Sequence, residues 1–277
     1  MGSEMCIRDR CWVCLVGFDI WSKEEHGNIS EISQLIHSME GCDGVIHLAA
    51  TTKVLTCERE PHWCRAINVI GTQNVLDAAL QQPSKPWVLF ASSREVYGQA
   101  ALPVVEDTAL KPLNTYGLSK ALGEHRVLGA RDRGLCTGIF RLANVYGAAN
   151  ARESNRVIPA FINQARQDRT LRVDDPNHTI DFTHIADVTE AIARFAMYIS
   201  AGLQPPPIHF VSGQQTNLVE LAEMIIELAF SKSQIKITQP RGYDVMQFVG
   251  DPARAYDLLG WKTTISLKQG IEKLLAM

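Results

Sequence analysis

WVLFASSREVYG (residues 87–98) is apolar from Trp87 to Ala91 and turns polar at Ser92, Ser93, Arg94 and Glu95. A short run apolar on both faces, closed by a polar string, is the pattern of a strand buried in a parallel sheet with helices on either side. This strand is predicted over Trp87–Ser92, and similar ones over Trp12–Asp19, Val45–Ala49, Thr137–Leu142 and Ile208–Val211. Helical periodicity falls between them, at Ile29–Met39, Trp63–Gln81, Tyr116–Ala130 and Asp187–Ser200. Strand–helix alternation of this kind predicts the α/β class with a doubly wound parallel sheet. Ligands of such sheets gather at the carboxyl ends of the strands. The polar strings fall there: Thr51-Thr52, Ser92-Ser93 and Asn144.

Beyond Asn144 the pattern breaks into helices, turns and short strands, with arginines at 152, 156, 166, 169, 172, 241 and 254. A smaller C-terminal substrate lobe, interleaved with the sheet, is expected over 148–180 and 214–277. The sheet domain is expected over 11–147 plus 181–213. Residues 1–10 are polar and aperiodic and read as a non-native or disordered leader. No G-x-G-x-x-G or G-x-x-G-x-x-G occurs in the chain. A doubly wound sheet opens with a strand, a glycine-rich phosphate turn and a helix, so the first βα unit is read as missing.

The charged fraction is 21%, the apolar fraction 46% and the net charge −3, which describe an ordinary soluble globular chain. This balance points to neither nucleic acid nor an anionic membrane. No apolar run reaches the ~18 residues of a membrane helix, and a cytoplasmic setting is expected. The seven cysteines include Cys11-x-x-Cys14 within an apolar run. That pair could be redox-active or half a zinc site. On a strand, however, the two positions face opposite sides, and no second pair completes a tetrahedral set. The cysteines are read as small apolar residues, with no metal.

Chemistry concentrates in Tyr116-Gly117-Leu118-Ser119-Lys120. Spacing of i, i+4 puts Tyr116 and Lys120 on one helix face. Tyrosine is a weak base at neutral pH, and a neighbouring ammonium stabilises its phenolate. A drop of about three units corresponds to roughly 4 kcal/mol of differential stabilisation. Ser93, at a strand's carboxyl end, is placed to hold the hydroxyl that Tyr116 deprotonates, whereas Ser92 is read as a local turn cap.

With these motifs in place, the chain from about Val13 onward resembles the NAD-dependent epimerase/dehydratase family of extended short-chain dehydrogenases. The matching strings are Val45-Ile46-His47-Leu48-Ala49-Ala50, Asn68-Val69-Ile70-Gly71-Thr72, the 92–98 string, Tyr116-x-x-x-Lys120 and Arg141-Leu142-Ala143-Asn144-Val145-Tyr146-Gly147. Asp181-Phe182-Thr183-His184-Ile185, Arg241-Gly242-Tyr243-Asp244 and Leu259-Gly260-Trp261 follow. The resemblance implies a Rossmann-like sheet and NAD as cofactor. It implies Ser93, Tyr116 and Lys120 as the catalytic set, with Lys120 also on the nicotinamide ribose. Leu48, Ala49, Ala50 and Asn68 are implied at the cofactor, and Asn28 and Ile29 beside its adenine. Asp19 is implied on the adenosine ribose, where a carboxylate would repel a 2′-phosphate; its alternative is a helix cap. Asn144, Arg241 and Asp244 are implied at the nucleotide diphosphate, and Thr52 is a further candidate for substrate binding. Many family members carry arginine just before the Asp-Phe-x-His string, and here that residue is Ile180.

Among the family's reactions, a UDP-sugar 4-epimerase-like activity is expected. The dehydratases carry Asp-Glu after the catalytic hydroxyl residue, whereas this chain has Arg94-Glu95. Arginine cannot act as a general acid at neutral pH. Glu95 stays open as a base or as a charged turn residue. Dehydratase or decarboxylase chemistry is the enzymatic alternative, and a truncated or degenerate non-catalytic member the other. A homodimer built on the Trp63–Gln81 helix and the Tyr116 helix is expected from the resemblance.

Overall fold

The computed structural model describes residues 3–7, 11–19, 27–147, 156–239, 242 and 245–277. Strands β1 (Ser3–Ile7) and β2 (Cys11–Leu15) form an antiparallel pair that is a separate two-stranded sheet. This differs from expectation twice. Part of the supposed leader is extended and paired, and the strand predicted over Trp12–Asp19 does not join the parallel sheet. An apolar run announces a strand but does not name its neighbour, because pairing is decided by register and packing.

Helix α1 (Ile32–Ser38) leads to β3 (Gly44–His47), and α2 (Val54–Arg59) follows. Helix α3 (Pro61–Arg65) runs through a π-helical turn, Ala66–Gly71, into α4 (Thr72–Gln81). Proline at the start of α3 needs no N–H donor there. Then come β4 (Trp87–Ser93), α5 (Thr115–Asp132), β5 (Thr137–Leu142) and β6 (Asn144–Tyr146). Helix α6 (Val157–Ala165), β7 (Leu171–Asp174), β8 (Thr179–His184) and α7 (Ile185–Ser200) precede β9 (Ile208–Phe210). The chain closes with β10 (Gln215–Asn217), α8 (Leu218–Leu228), β11 (Ile235–Thr238), α9 (Ala253–Leu259) and α10 (Leu267–Leu275).

The central sheet is parallel, in the order β3-β4-β5-β9. One face packs on Leu35, Val75, Leu76, Val127 and Ala130 from α1, α4 and α5. The other packs on Ala191, Phe195, Ile199, Ala255 and Trp261, in and beside α7 and α9. Helices therefore cover both faces, which is the doubly wound architecture, and the both-face apolar strands follow from it.

The smaller lobe holds the sheet β6-β8-β10, the parallel pair β7-β11, and α6, α8 and α10. Its core includes Ile158, Phe161, Leu171, Phe182, Leu221, Ile225 and Ile271. Strand β8 crosses the boundary expected at 181, since its whole length pairs within this lobe. Buried Asp181 ties the lobe to the central sheet. Its carboxylate accepts from Ser212 N at 2.9 Å, Ser212 Oγ at 2.7 Å, Gly213 N at 3.0 Å and Gly250 N at 3.3 Å.

Candidate active site

Strand β4 delivers Ser93 to the carboxyl edge of the sheet, and the chain turns sharply through Arg94–Val96, with Ser93 Oγ accepting from Glu95 N at 3.3 Å. Asn114, extended, caps α5 by accepting from Gly117 N at 2.8 Å. That cap sets the helix phase, so Tyr116 and Lys120, one turn apart, both face β4. The Ser93 side chain lies beside the Tyr116 phenol, close enough to favour its phenolate. Lys120 Nζ donates to Ala91 O at 2.8 Å and lies 4.9 Å from the centre of the Phe90 ring. One strand and one helix thus bring Ser93, Tyr116 and Lys120 to the same end of β4.

Its electrostatics differ from the sequence expectation. Burial pushes the Tyr116 phenol well above its ordinary value, with the Glu95 charge adding; the Ser93 side chain and Arg156 act against this. Burial lowers Lys120 to about 8, against the opposing influence of Cys64, Cys57 and Glu124. The ammonium is aimed at Ala91 O, and desolvation dominates the tyrosine. In this state Tyr116 is held neutral.

Glu95 is buried and fully engaged: Oε1 pairs with Arg94 Nη2 at 3.1 Å, and Oε2 accepts from Asn114 Nδ2 at 2.8 Å. Arg94 also donates through Nε to Asn144 Oδ1 at 2.9 Å, and its guanidinium lies 5.7 Å from the Phe248 ring centre. Its Nη1 is buried with no hydrogen-bond partner among the described residues. Asn144 therefore joins the site through Arg94.

Asn68 is buried in the π-helical turn, where it clamps Thr51 through both backbone groups, accepting from Thr51 N at 2.8 Å and donating to Thr51 O at 3.0 Å. The same amide donates to Ser119 Oγ at 2.9 Å. Asn68 thus holds the loop after β3 against α5. That loop carries Leu48, 54% exposed despite being apolar, then Ala49, Ala50 and exposed Thr52. Ile29 is buried against the core beneath α1 and α4, and Asn28 Oδ1 accepts from Ser30 N in a local turn at 3.0 Å. Asp19 is exposed, with its carbonyl accepting from Gly27 N at 3.2 Å. Arg241 and Asp244 lie outside the described residues. Ile180, standing where many relatives have arginine, is buried in the core of the smaller lobe.

Exposed Leu48 and Ala49 and half-buried Ala50 follow β3 at the carboxyl edge of the sheet, where β4 carries Ser93, and fit an apolar part of a dinucleotide. Lys120 would hold its ribose.

Sequence reasoning missed two groups. Ser92 is no local cap: its Oγ donates to Glu124 Oε1 at 2.5 Å. Glu124 in turn takes Arg141 through Nε at 2.8 Å and Nη2 at 2.7 Å, both side chains being buried. Glu124 follows Lys120 by four residues, so the i, i+4 rule that picked Tyr116 and Lys120 could have extended to it. Asn114, a polar residue just before the helix, carried an ordinary cap signal.

The sequence model of the NAD dependent epimerase/dehydratase family matches residues 17–210. A putative UDP-glucose 4-epimerase of Methanocaldococcus jannaschii is 31% identical over 234 residues, covering 83% of this chain and 75% of that protein. The GDP-6-deoxy-D-mannose reductase of Pseudomonas aeruginosa is 31% identical over 254 residues, covering 84% and 79%. Among solved structures, UDP-glucose 4-epimerase from Brucella ovis in complex with NAD superposes with a TM-score of 0.83 at 26% identity, covering 91% of this chain and 83% of that one.

Proposed function

Because this chain belongs to the NAD-dependent epimerase/dehydratase family, whose members are enzymes, we propose that it is a nucleotide-sugar 4-epimerase acting by transient oxidation at the sugar C4. The observation that carries this reading is the Arg94–Glu95 ion pair. Elimination of water needs an acid and a base beyond the catalytic serine. Here the first position is a guanidinium, which has no proton to give at neutral pH. The second is a carboxylate engaged by Arg94 and Asn114. Epimerisation needs neither.

In this reading Ser93 Oγ orients the sugar 4-hydroxyl and Tyr116 Oη takes its proton, returning it when the sugar is reduced on its other face. NAD, when bound, supplies the hydride acceptor and a positive charge. The neutral Tyr116 of the present state needs such a charge to become a base. Lys120, on the same helix face, holds the ribose side of the pocket. The unpartnered Arg94 Nη1 gives the sugar an oxygen-seeking donor, since a buried donor left unsatisfied costs about 1–3 kcal/mol.

UDP-sugars are the substrates this reading favours, on the relatives' names. The test incubates the protein with NAD and a panel of UDP- and GDP-sugars. Interconversion of C4 epimers without mass change supports it; a product lighter by one water or by carbon dioxide replaces it with elimination or decarboxylation.

A homodimer through α3–α4 and α5 is part of the proposal. Trp63 and Ile70, seven residues apart, are 56% and 51% exposed, and Leu118 and Leu122, four apart, are 50% and 41% exposed. A spacing of four puts Leu118 and Leu122 on one face of α5. No described helix is long and apolar enough to cross a membrane, and the proposed cytoplasmic setting rests on composition.

A further inference from the structure

We infer that Glu95 and Asn114 are positioning residues that set the distance between Ser93 and Tyr116, with Gly117 providing the clearance. The inference rests on Tyr116 and Ser93 being the catalytic pair. Ser93 belongs to β4 and Tyr116 to α5, so their contact depends on what joins the two elements. The join is made two residues after Ser93 and two before Tyr116. Glu95 Oε2 accepts from Asn114 Nδ2 at 2.8 Å, and Asn114 Oδ1 accepts from Gly117 N at 2.8 Å. Arg94 fixes the other oxygen of Glu95 at 3.1 Å, so the carboxylate cannot swing. The turn and helix also touch through backbone: a Cβ at Gly117 would overlap the Glu95 carbonyl oxygen. Only glycine lets the first turn of α5 press against the turn that follows Ser93. Glu95 thus stands in the dehydratase base position but faces the helix cap.

The partners suggest an exchange. Asn114→Asp keeps the cap but opposes two buried carboxylates. Adding Glu95→Gln restores a donor–acceptor pair in reversed polarity, with the amide now on the turn after β4 and the carboxylate at the helix cap. The first readout is the Cζ resonance of Tyr116 in tyrosine-labelled protein, assigned by its disappearance in Tyr116→Phe; it reports the phenol's surroundings without any substrate. The second is kcat and KM with UDP-glucose and NAD. Asn114→Asp should move the Tyr116 resonance and lower kcat by about 10²-fold, the effect of a misplacement near 1 Å, with KM within about twofold. The double variant should return the resonance to its parent position and kcat to within about fivefold. A double variant no better than Asn114→Asp, or an Asn114→Asp resonance identical to the parent's, overturns the inference. Retained turnover in Tyr116→Phe overturns the catalytic reading beneath it. Absence of UDP-glucose turnover in the parent counts against that sugar alone, and the resonance still decides the positioning role.

Discussion

Lys120 reaches back from α5 to donate to the Ala91 carbonyl at 2.8 Å, two residues before Ser93 on the neighbouring strand. The helix bearing Tyr116 is therefore fastened to the strand bearing Ser93 at two levels, by Asn114 and Glu95 above and by Lys120 below. The lower fastening has a cost, because the ammonium is almost wholly buried.

That cost is measurable. Burial lowers Lys120 to about 8 from an ordinary 10.5, so the folded state releases its proton first. Below pH 8 the penalty is fully present; between pH 8 and 10.5 it is relieved as the folded form becomes neutral. Lys120→Met should therefore stabilise the protein at pH 7 by about 1–2 kcal/mol, after loss of the Ala91 hydrogen bond is counted. The advantage should shrink as pH rises from 8 to 10.5, and turnover should fall. Urea unfolding of both proteins at pH 7 and pH 10 checks this, and an advantage that grows with pH refutes it.

Acid should unfold the protein through two histidines. Burial, with Lys120 adding, lowers His47 to about 3, and burial, with Arg141 adding, lowers His209 to about 3. Thr72 Oγ1 donates to Asn68 O at 2.7 Å, so it accepts from His47 Nε2 at 2.9 Å. Tyr97 accepts from Arg141 Nη1 at 2.5 Å and donates to His209 Nε2 at 2.6 Å. Both rings are neutral. The unfolded chain takes up protons from pH 6.5 downward and the fold does not, so stability is present above 6.5 and is lost below it. Each histidine contributes a slope of about 1.4 kcal/mol per pH unit. His47→Gln, which keeps an N–H donor, should roughly halve the slope between pH 6 and 4.5 in denaturant titrations.

Glu124→Gln should lower stability by about 3–5 kcal/mol, because it leaves the buried Arg141 guanidinium without its counter-charge. Equilibrium unfolding at pH 7 measures it. A loss under 1 kcal/mol would show that water or Tyr97 compensates.

Tyr116→Phe should remove at least 10²-fold from turnover while leaving the unfolding midpoint little changed, since general acid–base catalysis contributes 10²–10⁴. Turnover within tenfold of the parent would take Tyr116 out of the acid–base role.

Leu122→Glu should convert the proposed homodimer to monomer, as it places a charge in the face shared with Leu118. Sedimentation equilibrium reads the mass directly; an unchanged dimer moves the interface elsewhere.

The sequence by itself determined the parallel sheet, the helices around it, Ser93 at a strand's end and the shared helix face of Tyr116 and Lys120. Each of these signals is local: an apolar run, a 3.6-residue period, an i, i+4 spacing, a hydroxyl at a strand's end. Tertiary structure alone decided the rest, for reasons of distance and burial. The apolar Cys11–Leu15 segment could pair with any extended neighbour, and it pairs with Ser3–Ile7. Ser92 found its partner 32 residues away in Glu124. Glu95, a base by residue type, is held by Arg94 and by Asn114, 19 residues on. The phenol that a neighbouring lysine was expected to acidify is pushed the other way, because burial acts on Tyr116 more strongly than an ammonium aimed at Ala91. Spacing along a chain says which side chains share a face; desolvation and long-range hydrogen bonds, which set their charge and direction, exist only once the faces are packed.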